Sequence, residues 1–356
     1  MDRVSEAHWL SFDDLPRVIG EPPVRGLMRA RPEDFRVDEI PVFEPDGVGE
    51  HALLQVRKTS ANTEWVARRL ASHARVPVSS VGYAGLKDRH AVTTQWFSVQ
   101  IGAKADPDWR AFEADGVELL YSTRHRRKIR RGALRGNRFR IRIREVDVRE
   151  DWAEQRVGLI RKQGVPNYFG PQRFGSGEGN LYAADALFAG GSRLAPRHLR
   201  GLWISAARSQ LFNEVLALRV ERGDWNRPLR GDRLQLEGSR SHFLAEIVDE
   251  DIRNRVADFD LHPTGPLQGA GEGPCADEPA RMEQSVMKRF PAWAAGLKGE
   301  GLRQERRSLR LSVPDLSIRR GRDFLVLEFQ LPAGAYATAV LREIVDWSEP
   351  ARNNKT

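Results

Sequence analysis

A carboxylate flanked by two cations, Lys87-Asp88-Arg89, sits in a polar loop that Gly85 opens. An ordinary aspartate has a pKa of about 3.9, so it is ionised at neutral pH and suited to nucleophilic attack or to charge stabilisation. By itself such an aspartate reads as a turn residue or a surface ion-pair partner worth about 0–1 kcal/mol. Other chemistries lack their residues. The eight histidines are scattered and form no HExxH or H-x-E plus CxxC pattern, so no metal site is expected. There is no Walker A loop and no G-x-G-x-x-G turn, because Gly82 to Gly85 is too short and lacks a third glycine. Cys275 is the only cysteine, which excludes an internal disulfide and leaves a redox role without a resolving thiol. The acidic run Asp249-Glu250-Asp251 fits a helix N-terminus, where acids complement the dipole; the alternative is a metal-dependent nuclease.

The second feature is charge. Residues 124–144 read RHRRKIRRGALRGNRFRIRIR, with eleven Lys or Arg and no acid. Such a stretch repels itself unless it meets a counter-charge, and a phosphate backbone is the natural one. Arginine suits bidentate phosphate contacts better than lysine does. Arg124, Arg126, Arg127, Lys128, Arg130 and Arg131 are the candidate backbone contacts, with a solvated basic surface as the alternative. The whole chain carries a net charge of +8, with 40% hydrophobic and 30% charged residues, as a globular polyanion-binding protein would. No apolar run approaches the ~18 residues of a membrane span, and no secretory signal is visible, so a cytoplasmic protein is expected.

These residues need a scaffold. Strands are expected at 34–40, 51–58, 81–84 and 92–101, with a Pro45-Asp46-Gly47 turn joining the first two. A helix is expected at 62–74, capped by Asn62 or Thr63. Arg138 to Arg144 alternates, with Phe139, Ile141 and Ile143 on one face and arginines on the other. Helices are expected at about 149–163, 201–222, 250–259 and 278–290. Loops are expected through the glycine- and proline-rich 262–279, then strands at 308–313 and 324–331 and a final helix at 337–347. Strands at both ends around a helix-rich block predict an α+β fold: a discontinuous domain, 1–162 with 312–356, interrupted by an insertion at 163–311. Two consecutive domains are the alternative.

The string around Asp88, VGYAGLKDRHAVTTQWFSV, resembles the signature of the TruD family, the tRNA pseudouridine(13) synthases. In that family a tyrosine or phenylalanine, then Ala-Gly-x-Lys-Asp, then Ala-x-Thr-x-Gln surround the catalytic aspartate. Here the match runs through Tyr83, Ala84, Gly85, Lys87, Asp88, Ala91, Thr93 and Gln95. Family-like segments follow in order at Arg31 to Val37, Gly136 to Phe139, Val165 to Gly175, Ser205 to Asn213, Pro263 to Gly269 and Leu331 to Thr338.

The resemblance implies a pseudouridine-synthase-type catalytic domain with a mixed or antiparallel sheet, and an inserted family-specific domain. It implies an isomerase that acts on uridine 13 of tRNA, needs no cofactor or metal, and works as a monomer. Asp88 is then the catalytic residue, and Phe35, Asn137 and Tyr336 contact the substrate. Phe139, Lys87 and Arg29 are further substrate-site candidates. Read from the residues alone, Phe35 and Phe139 are equally core positions, Asn137 a turn residue and Tyr336 simple packing. Two departures stand out: Tyr336 replaces a frequent phenylalanine, and Arg29 a frequent lysine. A non-catalytic RNA-binding protein would explain the basic stretch equally well, but not the string around Asp88.

Overall fold

A computed structural model describes residues 8–102, 105–146, 152–191, 195–271 and 275–350. The first part of the chain forms β1 (Arg25–Met28), β2 (Phe35–Pro41), β3 (His51–Thr59), α1 (Thr63–His73), β4 (Val81–Tyr83), β5 (Val92–Gln100), β6 (Val117–His125), β7 (Leu134–Arg144) and α2 (Trp152–Gln163). The middle holds β8 (Val165–Pro166), α3 (Gly179–Phe188), α4 (Arg197–Glu221), β9 (Arg233–Leu236), β10 (His242–Leu244), α5 (Glu250–Ala257), β11 (Leu261–Leu267), α6 (Asp277–Arg289), α7 (Pro291–Gly299), β12 (Glu305–Ser308) and β13 (Arg310–Leu311). The last part adds β14 (Ser317–Arg320), β15 (Phe324–Pro332), α8 (Ala337–Leu341) and β16 (Asp346–Ser348). The fold is α+β, as expected.

Two compact units result. One comprises the described residues of 22–158, 313–334 and 344–356; the other comprises those of 1–21, 159–312 and 335–343. The expected boundaries at 162 and 312 lie close to two of these limits. Residues of 1–21 and 335–343, however, cluster with the middle of the chain rather than with its flanks. Part of the reason is chemical. The Leu10 amide donates to Glu214 of α4, its carbonyl accepts from Gln210, and the Trp9 indole donates to Glu178. The two flanking segments are also tied to each other: the Arg342 guanidinium donates to the carbonyls of Phe12, Leu15 and Pro16, and the Glu343 carboxylate accepts the amides of Val18 and Ile19.

The first unit is built on a mixed sheet whose main path runs β14-β15-β7-β2-β5-β3-β6, with β1, β4 and β16 attached. β2 and β5 pair in parallel, so β5 lies between β2 and β3 and the Pro45-Asp46-Gly47 stretch is no hairpin. β7 shows the expected alternation: Phe139, Ile141 and Ile143 are buried, while Arg138 and Arg140 are exposed. On β3, Ala52, Leu54 and Val56 pack with Phe97 and Val99 of β5 and with Val66 and Leu70 of α1. Burying these residues supplies the main stabilisation, at about 25 cal/mol per Å² of apolar surface. Lys58 stands in phase with that buried row and is itself wholly buried.

The second unit packs the long helix α4 beside β11 of a sheet ordered β10-β9-β11-β12. Here a strand, β11, replaces part of the loop expected at 262–279. Its two prolines are tolerated because its pairing is split. Residues 261–263 pair with β9 and residues 264–267 with β12; Pro266 has a ladder partner on β12 alone, and Pro263, opposite Leu234, is held on its other side through its carbonyl, which accepts the Leu309 amide at 2.8 Å. Gly265 gives α4 room, since a Cβ there would lie 3.0 Å from the Phe212 ring. The final helix is also shorter than expected. It ends at Leu341, and Asp346–Ser348 pairs with β1 instead. The β-branched Ile344 and Val345 that lead into that strand favour extended backbone. Of the helix expected at 149–163, residues 149–151 lie outside the described residues.

Candidate active site

The loop between β4 and β5 is held from beneath by side chains of three elements. The Thr63 hydroxyl, at the start of α1, accepts the Lys87 amide at 3.0 Å and donates to Gln95 Oε1 at 2.9 Å. Gln95 Nε2 in turn donates to the Gly85 carbonyl at 3.4 Å. Asn62 occupies the cap position of α1 but makes no side-chain cap bond, so Thr63 serves the loop rather than the helix. Lys58 Nζ donates to the carbonyls of Ala61 at 2.6 Å and Asp88 at 2.9 Å, with that of Lys87 at 3.5 Å. Burial pushes Lys58 down to about 8, against an opposing pull from Asp88 and with a further push from Lys87.

Asp88 projects from this platform. Its Oδ2 pairs with Arg29 Nη2 at 2.7 Å, and its Oδ1 accepts the His90 amide at 3.0 Å, closing a local turn. Its side chain is 29% exposed, so the carboxylate is fixed yet open to a ligand. Arg29 is almost enclosed. Its other nitrogen, Nη1, pairs with Glu349 Oε1 at 2.6 Å, and its guanidinium lies 4.0 Å from the centroid of the Phe35 ring. Two carboxylates and a ring therefore orient one planar cation, a task that suits arginine better than lysine. The backbone at Arg29 is left-handed, with φ of 56°.

The remaining candidates divide. Phe35 and Phe139 are buried, with ring centroids 6.2 Å apart, edge to face, and Phe139 stacks on Phe329 at 5.4 Å. Asn137 lies on β7 between Glu39 of β2 and Leu331 of β15. Its Oδ1 is buried with no hydrogen-bond partner among the described residues, an arrangement that costs about 1–3 kcal/mol unless a ligand fills it. Gly136 permits this approach, because a Cβ there would lie 2.2 Å from the Leu331 carbonyl oxygen. Lys87, expected at the substrate, turns inward and pairs with the buried Glu39 at 2.7 Å. Tyr336 belongs to the other unit, where its ring meets Phe169 edge to face at 5.7 Å and the Arg173 guanidinium lies 6.0 Å from it. Near Phe169 the Arg307 guanidinium sits 4.2 Å from the ring centroid, and burial pushes it down to about 10.

The basic stretch is not uniform either. Arg124 pairs with Asp106 at 2.9 Å and donates to the carbonyls of Gly49 and Gly102, so it braces loops. Arg126, Arg127 and Arg130 are exposed. Lys128 Nζ donates to the Ser79 carbonyl, and Arg131 covers the Tyr83 ring at 3.9 Å while donating to its hydroxyl. A groove of about 600 Å³ runs along this segment, lined by Arg68, Tyr83, Lys128, Arg130 and Arg131. On β7, Arg140 pairs with Glu328 and Arg144 with Asp34, so part of the arginine stripe is spent internally.

The alternatives raised by the sequence fare differently. Asp249 caps α5 by accepting the Ile252 amide at 2.9 Å, and Glu250 and Asp251 fall in its first turn, as the helix-start reading of the acidic run expects. The Cys275 thiol is pushed up to about 12 by burial and lies 3.4 Å from Glu283, an unreactive setting. No helix among the described residues is long and apolar enough to cross a membrane. Sequence reasoning missed Lys58, although its phase with Ala52, Leu54 and Val56 marked it as a lysine on a buried row.

Comparison with known proteins sets this geometry in a family. The family model for tRNA pseudouridine synthase D (TruD) matches residues 16–191 and 180–344. The chain is 53% identical over 337 residues to a tRNA pseudouridine synthase D of Methylococcus capsulatus, covering 94% of this chain and 95% of that protein. It is 48% identical over 334 residues to the Nitrosococcus oceani protein of the same name, covering 93% of each. A crystal structure of a putative tRNA pseudouridine synthase D from Methanosarcina mazei superposes with a TM-score of 0.72 at 23% identity. It covers 93% of this chain and 95% of that one, and shows the shared fold. With the family model spanning nearly the whole chain and relatives this similar end to end, the chain belongs to the tRNA pseudouridine synthase D family.

Proposed function

We propose that the chain isomerises uridine 13 of tRNA to pseudouridine, with Asp88 as the catalytic carboxylate. The observation that carries this reading is the Asp88 carboxylate itself: part-exposed, paired with Arg29, and set in the loop that bears the family string. In the reaction the N1–C1′ bond breaks, a C5–C1′ bond forms, and the proton leaving C5 is balanced by one gained at N1. Nothing is oxidised, so the proposal invokes no cofactor and no metal. A fixed anionic oxygen serves attack at C1′, attack at C6, or retention of the detached base while it turns.

The uridine leaves its stack at a cost of a few kcal/mol, which the site must return. The free Oδ1 of Asn137 suits the N3–H of uracil. Phe35 and Phe139 supply an apolar wall, and Tyr336 is a substrate contact on the strength of the family resemblance. The exposed arginines near Arg126 take the RNA backbone. The unit of 22–158, 313–334 and 344–356, which carries Asp88, is assigned as the catalytic domain and the middle of the chain, expected at 163–311, as the inserted one, in a monomer acting in the cytoplasm.

The test is tritium release from a tRNA transcript labelled at uracil C5, in chelator and without added cofactor, with wild type and Asp88→Asn. Release by wild type alone, mapped to position 13, is expected, with tRNA affinity of the variant within a few-fold. Turnover by Asp88→Asn would remove Asp88 from the mechanism.

A further inference from the structure

Lys58 is a charged side chain with no exposed surface, lying on the row of β3 that otherwise carries Ala52, Leu54 and Val56. Burying an ammonium is costly unless its donors are met. Here its two short bonds go to Ala61 O at 2.6 Å and Asp88 O at 2.9 Å, and Lys87 O stands at 3.5 Å. All three acceptors are main-chain carbonyls, and the lysine forms no close pair with a carboxylate among the described residues. Two of the acceptors are consecutive residues of the catalytic loop. The third lies just before α1, which supplies the Thr63 hydroxyl to the Lys87 amide. Lys58 therefore joins strand, helix start and loop at the peptide from which the Asp88 side chain projects.

We propose that Lys58 is a positioning residue for catalysis: its charged ammonium gathers these carbonyls and fixes the backbone of Asp88. This rests on the assignment of Asp88 as catalytic. The proton matters because an ammonium offers three donors, whereas a neutral amine offers two and turns a lone pair toward a carbonyl. The charges that bear on Lys58 are Asp88, which favours the proton, and Lys87, which opposes it. Its ladder neighbours, Thr93 of β5 and Val117 of β6, are uncharged. Burial brings the group down to about 8, so the ammonium is lost in mildly alkaline solution.

The experiment compares wild type with Lys58→Met, a side chain of similar length without donors. Two readouts are taken: hydrogen exchange at the Lys87 and His90 amides in the free protein, and kcat and KM for tritium release across pH. In Lys58→Met the two amides should exchange at least about ten-fold faster while amides of β5 keep their protection. The kcat should fall about 100-fold, the usual consequence of a misplacement of about 1 Å, with KM little changed. Wild-type kcat should decline as pH rises through about 8, and Lys58→Met should lack that limb. Unchanged exchange at Lys87 and His90, or a kcat within a few-fold of wild type, overturns the proposal. Should the variant fail to fold, the wild-type profile decides: a kcat that is flat through about 8 overturns the proposal. If wild type releases no tritium at any pH, the pseudouridine reading fails. The exchange result then still accepts or rejects Lys58 as the anchor of the loop.

Discussion

Replacing Arg29 by alanine and by glycine separates what its side chain does from what its backbone costs. The guanidinium makes two charge-assisted bonds, to Asp88 at 2.7 Å and to Glu349 at 2.6 Å, and covers the Phe35 ring at 4.0 Å. Bonds to charged groups contribute about 1.5–3 kcal/mol each when buried, and a cation over a ring about 0.5–2 kcal/mol. The two carboxylates stay 29% and 24% exposed, so water takes over part of their solvation. Removing a nearly enclosed cation also recovers its own desolvation. Arg29→Ala should therefore lose about 2–3 kcal/mol of stability. Because φ at this position is 56°, glycine should escape a penalty that alanine keeps, and Arg29→Gly should be the more stable of the two by about 1 kcal/mol. Activity should not follow that order. Both variants lose the group that aims Asp88, and both should lose about 100-fold in kcat. Urea unfolding with an unchanged slope gives the first comparison, and tritium release gives the second. An Arg29→Ala enzyme with near-wild-type kcat would refute the role assigned to the ion pair. A glycine variant no more stable than the alanine one would refute the backbone argument alone.

Lys87→Met should cost about 3–5 kcal/mol, because it leaves the buried Glu39 without its cation. Adding Glu39→Gln should restore much of this, as a double-mutant cycle by denaturation would register. Replacing Arg126, Arg127 and Arg130 by alanine should flatten the dependence of tRNA affinity on salt by about 0.7–0.9 log units for each phosphate no longer neutralised. Arg124→Ala, whose guanidinium is engaged by Asp106, should lower stability and leave that slope alone; filter binding at several salt concentrations tests both. Lys58 also links stability to pH. Between about 8 in the folded chain and 10.5 unfolded, the unfolded state holds the extra proton. This group's penalty is therefore full below about 8 and fades as pH rises toward 10.5, and Lys58→Met should lack the corresponding gain in stability.

The parts of the site that were legible in sequence are those that local pattern encodes. The alternation of β7 gave its two faces because side chains on a strand have a period of two. Asp88 was another matter: its neighbours Lys87 and Arg89 say nothing of catalysis, and only the long family string singled it out. The Arg29–Asp88 pair was out of reach, because it joins distant segments through a left-handed residue that no propensity anticipates. The partner of Lys87 was hidden for a related reason: a lysine beside the aspartate of the family string invites a substrate role, and only the tertiary position of Glu39 shows the pair it makes. β11 was read as loop because its prolines and glycine carry strong turn signals. Split pairing overrides them, and pairing is not a local property.

The pairing of β7 bears on how the molecule is made. One flank of this strand meets β2, which precedes it in the chain, and the other meets β15, which begins only at Phe324. A ribosome adding about 5–20 residues per second takes on the order of ten seconds or more to supply that partner. Through that interval β7 is a long strand with one open flank, the kind of edge on which nascent chains aggregate. Arg138, Arg140, Arg142 and Arg144 line its less buried face, and like charges there would repel a second copy of the same edge. The arginines of β7 would thus disfavour edge-to-edge pairing of the unfinished sheet, whatever they do once RNA arrives. Exchanging Arg138 and Arg142 for threonine should lower the yield of soluble protein during synthesis more than it lowers the activity of the molecules that fold.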